Sequence, residues 1–419
     1  MGGPRIAETG HAPDDGESVT AGRWVVPALI CATFASSVGS LVFGPLLPLM
    51  ARDLGVGVAL LGQIPAIAAL LAAALSLAVG PLADRYGHVR TLGLAQLGLA
   101  VGALATGLAP TYALLLAAIL LATPGRAAVS PAALAIVGAR FAGETRRRAI
   151  GWITAGISGA AIVGVPLLTA IAATGGWRVA FGALAALSLG SAALARLVLG
   201  AGERRPPARL HTRDFLAVYR PLVRHQLTRT LLGSTVLGRA GTAALTTYLG
   251  AFYAERHGFT PQQIGGLYFA LGLGLLVGSV GAEGPLGRVP LVPMLIGARL
   301  LTGALVTGAL LAPLPALVAG AFLTLGMVSI AASTVAATTL LASEAPGGRA
   351  TAMALNGTAI YLGTALGGAG GGLLLALGGY VALGLGTLGL YGAASTLLWR
   401  ARPRQPGLGI VPRPVTGGN

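Results

Sequence analysis

Two arginines lie deep in apolar runs: Arg126 in "LLATPGRAAVSPAAL" (120–134) and Arg239 in "LGSTVLGRAGTAALTTYL" (232–249). At the centre of a membrane helix an arginine costs at least ~2.5–3.5 kcal/mol on insertion scales, so each must face a wet cavity or a partner. In such a cavity the planar guanidinium fork grips a carboxylate or phosphate with two parallel hydrogen bonds. For Arg126 the alternative is a structural one, packing against the backbone carbonyls of neighbouring helices. No carboxylate sits at comparable depth. The 12 acids all lie in tails, loops or helix ends, with Asp53 and Glu255 at one membrane face and Asp84, Glu144, Glu283 and Glu344 at the other. An unpaired cationic cavity favours an acidic or strongly hydrogen-bonding small molecule and repels a lipophilic cation. A buried acid with a raised pKa would be the natural proton carrier. Lacking one, any proton coupling is left to Glu283, Asp53 or the arginines themselves.

Polar side chains in otherwise apolar runs complete the candidate binding set. Ser36, Ser37 and Ser40 fall in one run, Thr246 and Tyr248 in the run of Arg239, Ser329, Ser333, Thr334 and Thr338 in a third, and Asn356 and Tyr361 in a fourth. Most membrane Ser and Thr bond back to their own helix or join neighbours. Ser329, Thr334, Asn356 and Tyr361 are the candidates to line a cavity with the two arginines. The five histidines are scattered among tail, middle loop and both membrane faces, so the sequence offers neither a metal cluster nor a Ser-His-Asp set. "GGAGGG" (367–372) lacks the Lys-Ser/Thr ending of a phosphate loop and reads as a helix-packing stretch. No enzyme, cofactor or metal is expected.

These residues must be held by membrane helices. Of 419 residues 55% are hydrophobic and only 10% charged, far from a soluble composition. Apolar windows give twelve spans of roughly 20 residues or more, near 24–50, 57–81, 91–109, 112–139, 149–173, 178–199, 226–252, 263–283, 291–311, 314–341, 350–376 and 380–399. An even number puts both ends on one side. All 28 residues counted as Lys+Arg are arginine: Arg52, Arg178 and Arg256 fall in the opposite loops, Arg126, Arg239 and Arg299 within spans, and the other 22 on the side of the termini. The positive-inside rule then makes the termini cytoplasmic, in a multi-pass protein of the cell inner membrane. The net charge of +16 comes from short loops rather than a basic soluble module, so nucleic acid is not an expected partner. Residues 1–23 and 401–419 read as cytoplasmic tails, the first of them disordered. The basic stretch 201–225 reads as a linker, either an interfacial amphipathic helix on anionic lipid or a solvated segment. Cys31, the single cysteine, reads as a small buried hydrophobe.

The chain repeats itself. "GPLADR" (80–85) is echoed by "GPLGR" (284–288), and "GGWRVAFGAL" (175–184) by "GGYVALGLGTL" (378–388), both displaced by about 203 residues. Two marks at one offset argue for duplicated six-helix bundles, 24–200 and 226–400, with a site at their interface near the bilayer midplane.

"GPLADRYGHVR" (80–90) resembles the loop 2–3 signature of the major facilitator superfamily, Gly-x-Leu-Ala-Asp-Arg-x-Gly followed by basic residues. "GVPLLTAIAATGGWRVAF" (164–181), "TYLGAFYAERHGFTPQQIG" (247–265) and "ALNGTAIYLGTALGGAGGGLLL" (354–375) are similar in spacing to its bacterial drug and sugar efflux branch, the proton antiporters. The likeness covers about 24–400. It implies an all-α fold of twelve transmembrane helices in two six-helix bundles, with helices 1, 4, 7 and 10 around a central cavity, and a monomeric exporter of a small molecule driven by protons. It departs at helix 5, where Val165 separates Gly164 from Pro166, and at "GPLGR", which has lost the acid.

The resemblance assigns the loop a gating role. Gly80 and Pro81 end helix 2 and allow close approach. Asp84 then accepts from open amides at the start of helix 11, near Gly348 and Arg349, in the other bundle. Arg85, Gly87 and Arg90 belong to the same device, Gly164 and Pro166 to its counterpart in helix 5. A plain positive-inside anchor with a solvated acid is the alternative. An importer or uncoupled facilitator, or a transport-inactive scaffold on the same fold, are the competing functional readings.

Overall fold

The computed structural model describes residues 15–200, 222, 224–283, 289–344 and 349–400, without the side chains of 15–23, 77, 80, 81, 84, 147, 283, 344 and 349–351. Among the described residues the structure is helical throughout, in twelve spans. Span 1 is Asp15–Leu41 continued by Phe43–Leu54, span 2 is Val58–Leu61 continued by Gln63–Tyr86, span 3 is His88–Leu108 and span 4 is Tyr112–Arg140. Span 5 is Gly143–Gly159, the π turn Ala160–Gly164 and 165–175; span 6 is 177–199. Spans 7 to 10 are Gln226–His257, Pro261–Glu283, Leu291–Leu311 and Ala316–Glu344, and spans 11 and 12 are 349–377 and 380–400.

Two of these helices run on without a loop. Gly176, at φ 81°, breaks Val165–Leu199 into spans 5 and 6, and Gly379, at φ 62°, breaks Arg349–Arg400 into spans 11 and 12. Such positive φ values are open to glycine at little cost. Nine described helices are long and apolar enough to cross a membrane on composition alone, including the two double ones. Span 7 is not among them, because six threonines, Ser234, Arg229 and Arg239 dilute its apolar residues; packing inside the bundle holds it. Outward-facing leucines such as Leu108, Leu197 and Leu317, exposed by 72, 82 and 86%, form the lipid-facing coat, an apolar surface no soluble monomer carries.

The ends of the helices correct two expectations. The first helix is described from Asp15, so residues 15–23 of the tail expected over 1–23 are helical, and 1–14 lie outside the described residues. Gly80 and Pro81 do not end span 2. Its helix continues to Tyr86, because Pro81 removes a single rung of the ladder while the Gly87 amide still closes the last turn on the Ala83 carbonyl at 2.9 Å. Gly87, at φ 91°, is the residue that stops it. The 201–221 part of the linker, residue 223 and the 401–419 tail lie outside the described residues.

Both described chain ends lie on one face, here the terminal side; the opposite face is the far side. On the far side one apolar core runs through both halves, from Leu46, Val165 and Trp177 to Tyr248, Ile264, Leu310 and Leu383. On the terminal side there are two cores, one around Leu29, Leu92 and Ile136, the other around Leu231, Leu295 and Leu340. Glycines make the far-side junction close. A Cβ on Gly250 of span 7 would lie 2.5 Å from the Gly44 carbonyl of span 1, and one on Gly272 of span 8 would lie 3.0 Å from the Ala161 Cβ of span 5. Spans 2 and 11 run antiparallel across the same boundary: Gln63 Nε2 donates to the Ala369 carbonyl at 3.3 Å, and further toward the terminal side Ser76 and Thr358 share a hydroxyl bond of 2.9 Å.

Candidate functional site

The midpoint of the molecule holds a cavity of about 270 Å³ lined by spans 1, 2, 4, 7, 8 and 11. Arg126, fourteen residues from either end of Tyr112–Arg140, enters it from the first half and Arg239 from the second. Each is held by close backbone packing. A Cβ on Gly125 would collide with the Ala95 carbonyl, so span 4 lies tight on span 3, and Gly363 brings span 11 against the Arg239 Cβ. The Nε atoms of both arginines are buried without a hydrogen-bond partner. Tyr361 lines the same cavity and lies within electrostatic reach of both guanidinium groups. No wall residue is acidic. The cavity therefore presents donors and positive charge with no internal counter-charge.

Its hydroxyls have the opposite character. Thr123 donates to the Ile119 carbonyl, Ser40 to that of Ser36, Thr246 to that of Thr242 and Thr364 to that of Ile360, at 2.8, 3.1, 3.0 and 2.8 Å respectively. With their protons committed to their own helices, these oxygens offer lone pairs to the cavity. A ligand that satisfies the walls carries an acidic or acceptor group for the arginines and hydroxyl or amine donors for the threonines and Ser40.

Arg239 also borders a second, smaller cavity of about 60 Å³ inside the second half, where Thr334 and Asn356 lie. Arg126, Arg239 and Tyr361 thus come together at the centre, and Thr334 and Asn356 join them only through Arg239. Ser329 lines neither cavity and donates to the Leu325 carbonyl of its own helix at 3.3 Å. Span 10 borders only the second cavity, whereas spans 2, 8 and 11 supply walls the resemblance did not name. Thr123, Pro65, Tyr268 and Thr364 escaped the sequence reading, although Thr123 sits one helical turn before Arg126 and shares its face.

The acids stand away from this centre. Asp53, at the far-side end of span 1, pairs with Arg178 and accepts from Trp177 Nε1 at 3.1 Å. Arg178 also stacks on the Trp177 ring, 4.3 Å from its centroid, and donates to the Ala109 carbonyl at 3.1 Å. The Arg178 hydrogen bond holds the Asp53 carboxyl below its ordinary pKa. That is the setting of a structural tie; a proton carrier working near neutral pH needs the reverse shift. In the second half Tyr380 donates to Glu255 at 2.9 Å and Arg256 donates to the Leu310 carbonyl at 2.7 Å. Two of the three arginines that depart from the charge bias are thereby explained, since they close the open carbonyls at the ends of spans 3 and 9.

On the terminal side, Arg85 is exposed with its guanidinium 5.5 Å from the Tyr86 ring centroid, and Arg90 is exposed in the first turn of span 3. The side chains of Asp84, Glu283 and Arg349, and the whole of Gly348, lie outside the described residues, and Gly80 is described only by its helical backbone. Gly164 closes the π turn of span 5, where a Cβ would collide with Val38 of span 1, and Pro166 follows in the first turn of the next helical segment. A π turn of this kind commonly marks a bend at a functional position.

A family model of the Major Facilitator Superfamily matches residues 29–368. The chain belongs to the major facilitator superfamily. Within it, the chain is 28% identical over 337 residues to an uncharacterized MFS-type transporter, YceJ, of Bacillus subtilis, covering 80% of this chain and 85% of that one. It is 27% identical over 396 residues to the inner membrane transport protein YdhP of Escherichia coli, covering 91% and 97%. Among solved structures, a bacterial homolog of the human lysosomal transporter Spinster, in an inward-facing and unoccupied conformation, shares the fold with a TM-score of 0.71 at 18% identity, covering 91% and 95%. The nucleoside transporter NupG does so with a TM-score of 0.70 at 15% identity, covering 90% and 98%. This superfamily member is accordingly a multi-pass membrane protein of a transporter family, all-α, with twelve helices in two six-helix bundles.

Proposed function

We propose that this superfamily member is a secondary active transporter that exports a small polar or acidic molecule, such as an antibiotic or other drug, a sugar or an acidic metabolite, across the inner membrane in exchange for protons. The observation that carries the reading is that Arg126 of one half and Arg239 of the other, with Tyr361, line one mid-membrane cavity with no acidic wall residue. Guanidinium donors and hydroxyl lone pairs on the same walls support a cargo bearing an acid and hydroxyl or amine groups. The arginine bias supports cytoplasmic termini, and the similarity to the inner membrane transport protein YdhP supports the inner membrane. With that orientation the far-side core closes the cavity toward the outside.

Alternating access follows if 24–200 and 226–400 rock as two units joined by 201–225. Each tenfold shift of such an equilibrium needs only about 1.4 kcal/mol. The inner gate is Asp84 against the start of span 11 near Gly348 and Arg349. Register supports this: as span 2 advances from Gln63 to Ser76, span 11 runs back from Ala369 to Thr358, and the same march continued by about two turns brings 84 close to the start of span 11 at Arg349. Asp84→Asn should lower transport several-fold at unchanged membrane abundance; unaltered flux would remove the gate.

Protein in proteoliposomes with an imposed pH gradient tests the whole reading: cargo accumulation that follows the gradient supports antiport. A second reading, an uncoupled facilitator, is favoured by the Asp53–Arg178 tie and the absence of acids from the cavity wall; it predicts flux that ignores the gradient. A ligand screen by thermal stabilisation, repeated with Arg239→Ala, identifies the cargo as the ligand whose effect disappears in the variant.

A further inference from the structure

The smaller cavity inside the second half carries a conclusion of its own. It lies between spans 7, 9, 10, 11 and 12, encloses about 60 Å³, and is walled by Arg239, Arg299, Thr242, Ser333, Asn356 and Tyr391. Arg299 is only 4% exposed, and its Nη1 is buried with no hydrogen-bond partner. It sits against span 7 where Gly238 has no side chain: a Cβ there would lie 3.3 Å from the Arg299 Nε. Arg239, the next residue, reaches the same space with its own unpartnered Nε. Tyr391 and Thr242 are joined by a hydroxyl bond of 2.9 Å, and the Thr242 hydroxyl also lies 3.0 Å from the Gly238 carbonyl.

Two arginines thus border one small cavity, and no residue lining it is acidic. An isolated charge out of water is costly unless it is paired. An arginine escapes that cost poorly by losing its proton, because its pKa is so high. The missing charge must come from a ligand. About 10–15 Å³ of such space holds one water molecule, so this cavity has room for a small ion such as chloride beside the two arginines.

We infer that the second half binds one small monovalent anion, with chloride as its occupant, between Arg239 and Arg299. The anion is bonded by the free guanidinium N–H groups on both sides. Because Arg239 also faces the central cavity, the anion tempers the charge a cargo meets there. The site needs no transport cycle, so it stands or falls separately from the proposed export activity.

The test uses the purified full chain without cargo. Melting temperature is followed as chloride replaces gluconate at constant ionic strength, and binding of radioactive chloride is counted by scintillation proximity. Ligand that binds only the folded state raises stability with the logarithm of its concentration above Kd, so the melting temperature of the unaltered protein should climb by several degrees, with one saturable chloride per chain. Arg299→Met should lose both effects, and Arg299→Lys, which keeps the charge, should retain part of each. If the methionine variant does not fold, the stoichiometry on the unaltered protein decides alone. Equal melting in chloride and gluconate, no saturable binding, or full binding in Arg299→Met would overturn the proposal. Stabilisation by formate with none by chloride would overturn chloride as occupant and assign the site to the acid group of the cargo.

Discussion

The two halves of the molecule have the same skeleton and different charges. Gly55 and Gly258, the left-handed residues that end spans 1 and 7, have φ of 65° and 66° and stand 203 residues apart. Gly176 and Gly379 repeat the interval at the span 5–6 and 11–12 corners, and Ala109 and Ala312 repeat it at the ends of spans 3 and 9, where each accepts from a far-side arginine. Side chains at the same interval have diverged. Arg126 corresponds to Ser329, Arg239 to Ser36, and Arg299 to Gln96. Backbone breaks are constrained by geometry that both bundles need; under the proposed function, cavity residues answer instead to a cargo lying across the boundary between the halves. The duplication therefore supplied the frame, and the asymmetry is where function was added.

The largest effect should come from setting the two arginine positions against their counterparts. Arg239→Ala removes a guanidinium that serves both cavities and should cut cargo flux at least about tenfold, a loss of about 1.4 kcal/mol or more in transport free energy. Ser36→Ala, at the corresponding place in the first half, should leave flux within about twofold, because a membrane Ser is worth little beyond its own helix. Initial rates in proteoliposomes at matched protein content measure both. Equal losses would mean that the asymmetry is incidental.

A second contrast concerns the far and terminal sides. The far side is one core knitted by glycine contacts, so Gly250→Ala, which drives a methyl against the Gly44 carbonyl 2.5 Å away, should cost about 1–3 kcal/mol as overpacking does. It should also expose Thr246→Cys, in a Cys31→Ser background, to an impermeant thiol reagent from outside. Gly98→Ala, with open space around it, should be neutral or gain up to about 1 kcal/mol from helix propensity. Thermal melting and labelling rate decide; a Gly250→Ala chain as stable and as protected as the unaltered one would mean the seal is looser than its contacts.

The repeat, the number of spans and the two central arginines were all legible in the sequence, because each is written in local terms: a dipeptide at a fixed interval, an apolar length, a charge where none belongs. What was not legible depends on neighbours. Arg299 was visible only as a charge within a span, since the gap left by Gly238 that receives it is a feature of two helices. The end of span 2 was misplaced from Gly80 to Gly87 because a proline near a helix end looks the same whether it costs one rung or the whole turn. Asp53 could be placed on its face from sequence, yet its partners arrive from residues 177 and 178, and their meeting is a feature of two distant segments.

Gln96 and Arg299 offer a smaller comparison. Gln96 is fully buried and donates to the Ala32 carbonyl of span 1 at 2.8 Å, with its Oε1 left without a hydrogen-bond partner, so the first half holds a neutral amide where the second half holds a charge. Gln96→Leu gives up one bond, and Ala32 keeps its place in the helix ladder; the expected cost is about 1 kcal/mol. Because no charge is involved, that cost should be the same in chloride and in gluconate. A chloride-dependent cost in the first half would erase the distinction between the two positions.

The smallest effect is expected at the far-side ties, and its pH dependence has a definite sign. Asp53 in the first half is paired with Arg178, Glu255 in the second with the neutral Tyr380. Asp53 has its pKa lowered by the Arg178 hydrogen bond, so its folded-state value lies below the ordinary 3.8. A carboxyl shifted downward stabilises the fold above its unfolded pKa and loses that contribution as pH falls through its folded value. Side chains 40% and 44% exposed make this a surface pair, of the kind worth less than about 1 kcal/mol. Asp53→Asn should therefore lower the melting temperature slightly and by a constant amount from pH 8 down to pH 5, with the gap to the unaltered protein closing only below the ordinary carboxyl range. Over the same interval the pH profile of transport should not move, because a carboxylate already ionised at pH 5 has no proton to exchange at pH 7. A shifted transport profile in Asp53→Asn would return this residue to the coupling pathway and make the pairing with Arg178 a feature of one conformation, broken when the far side opens.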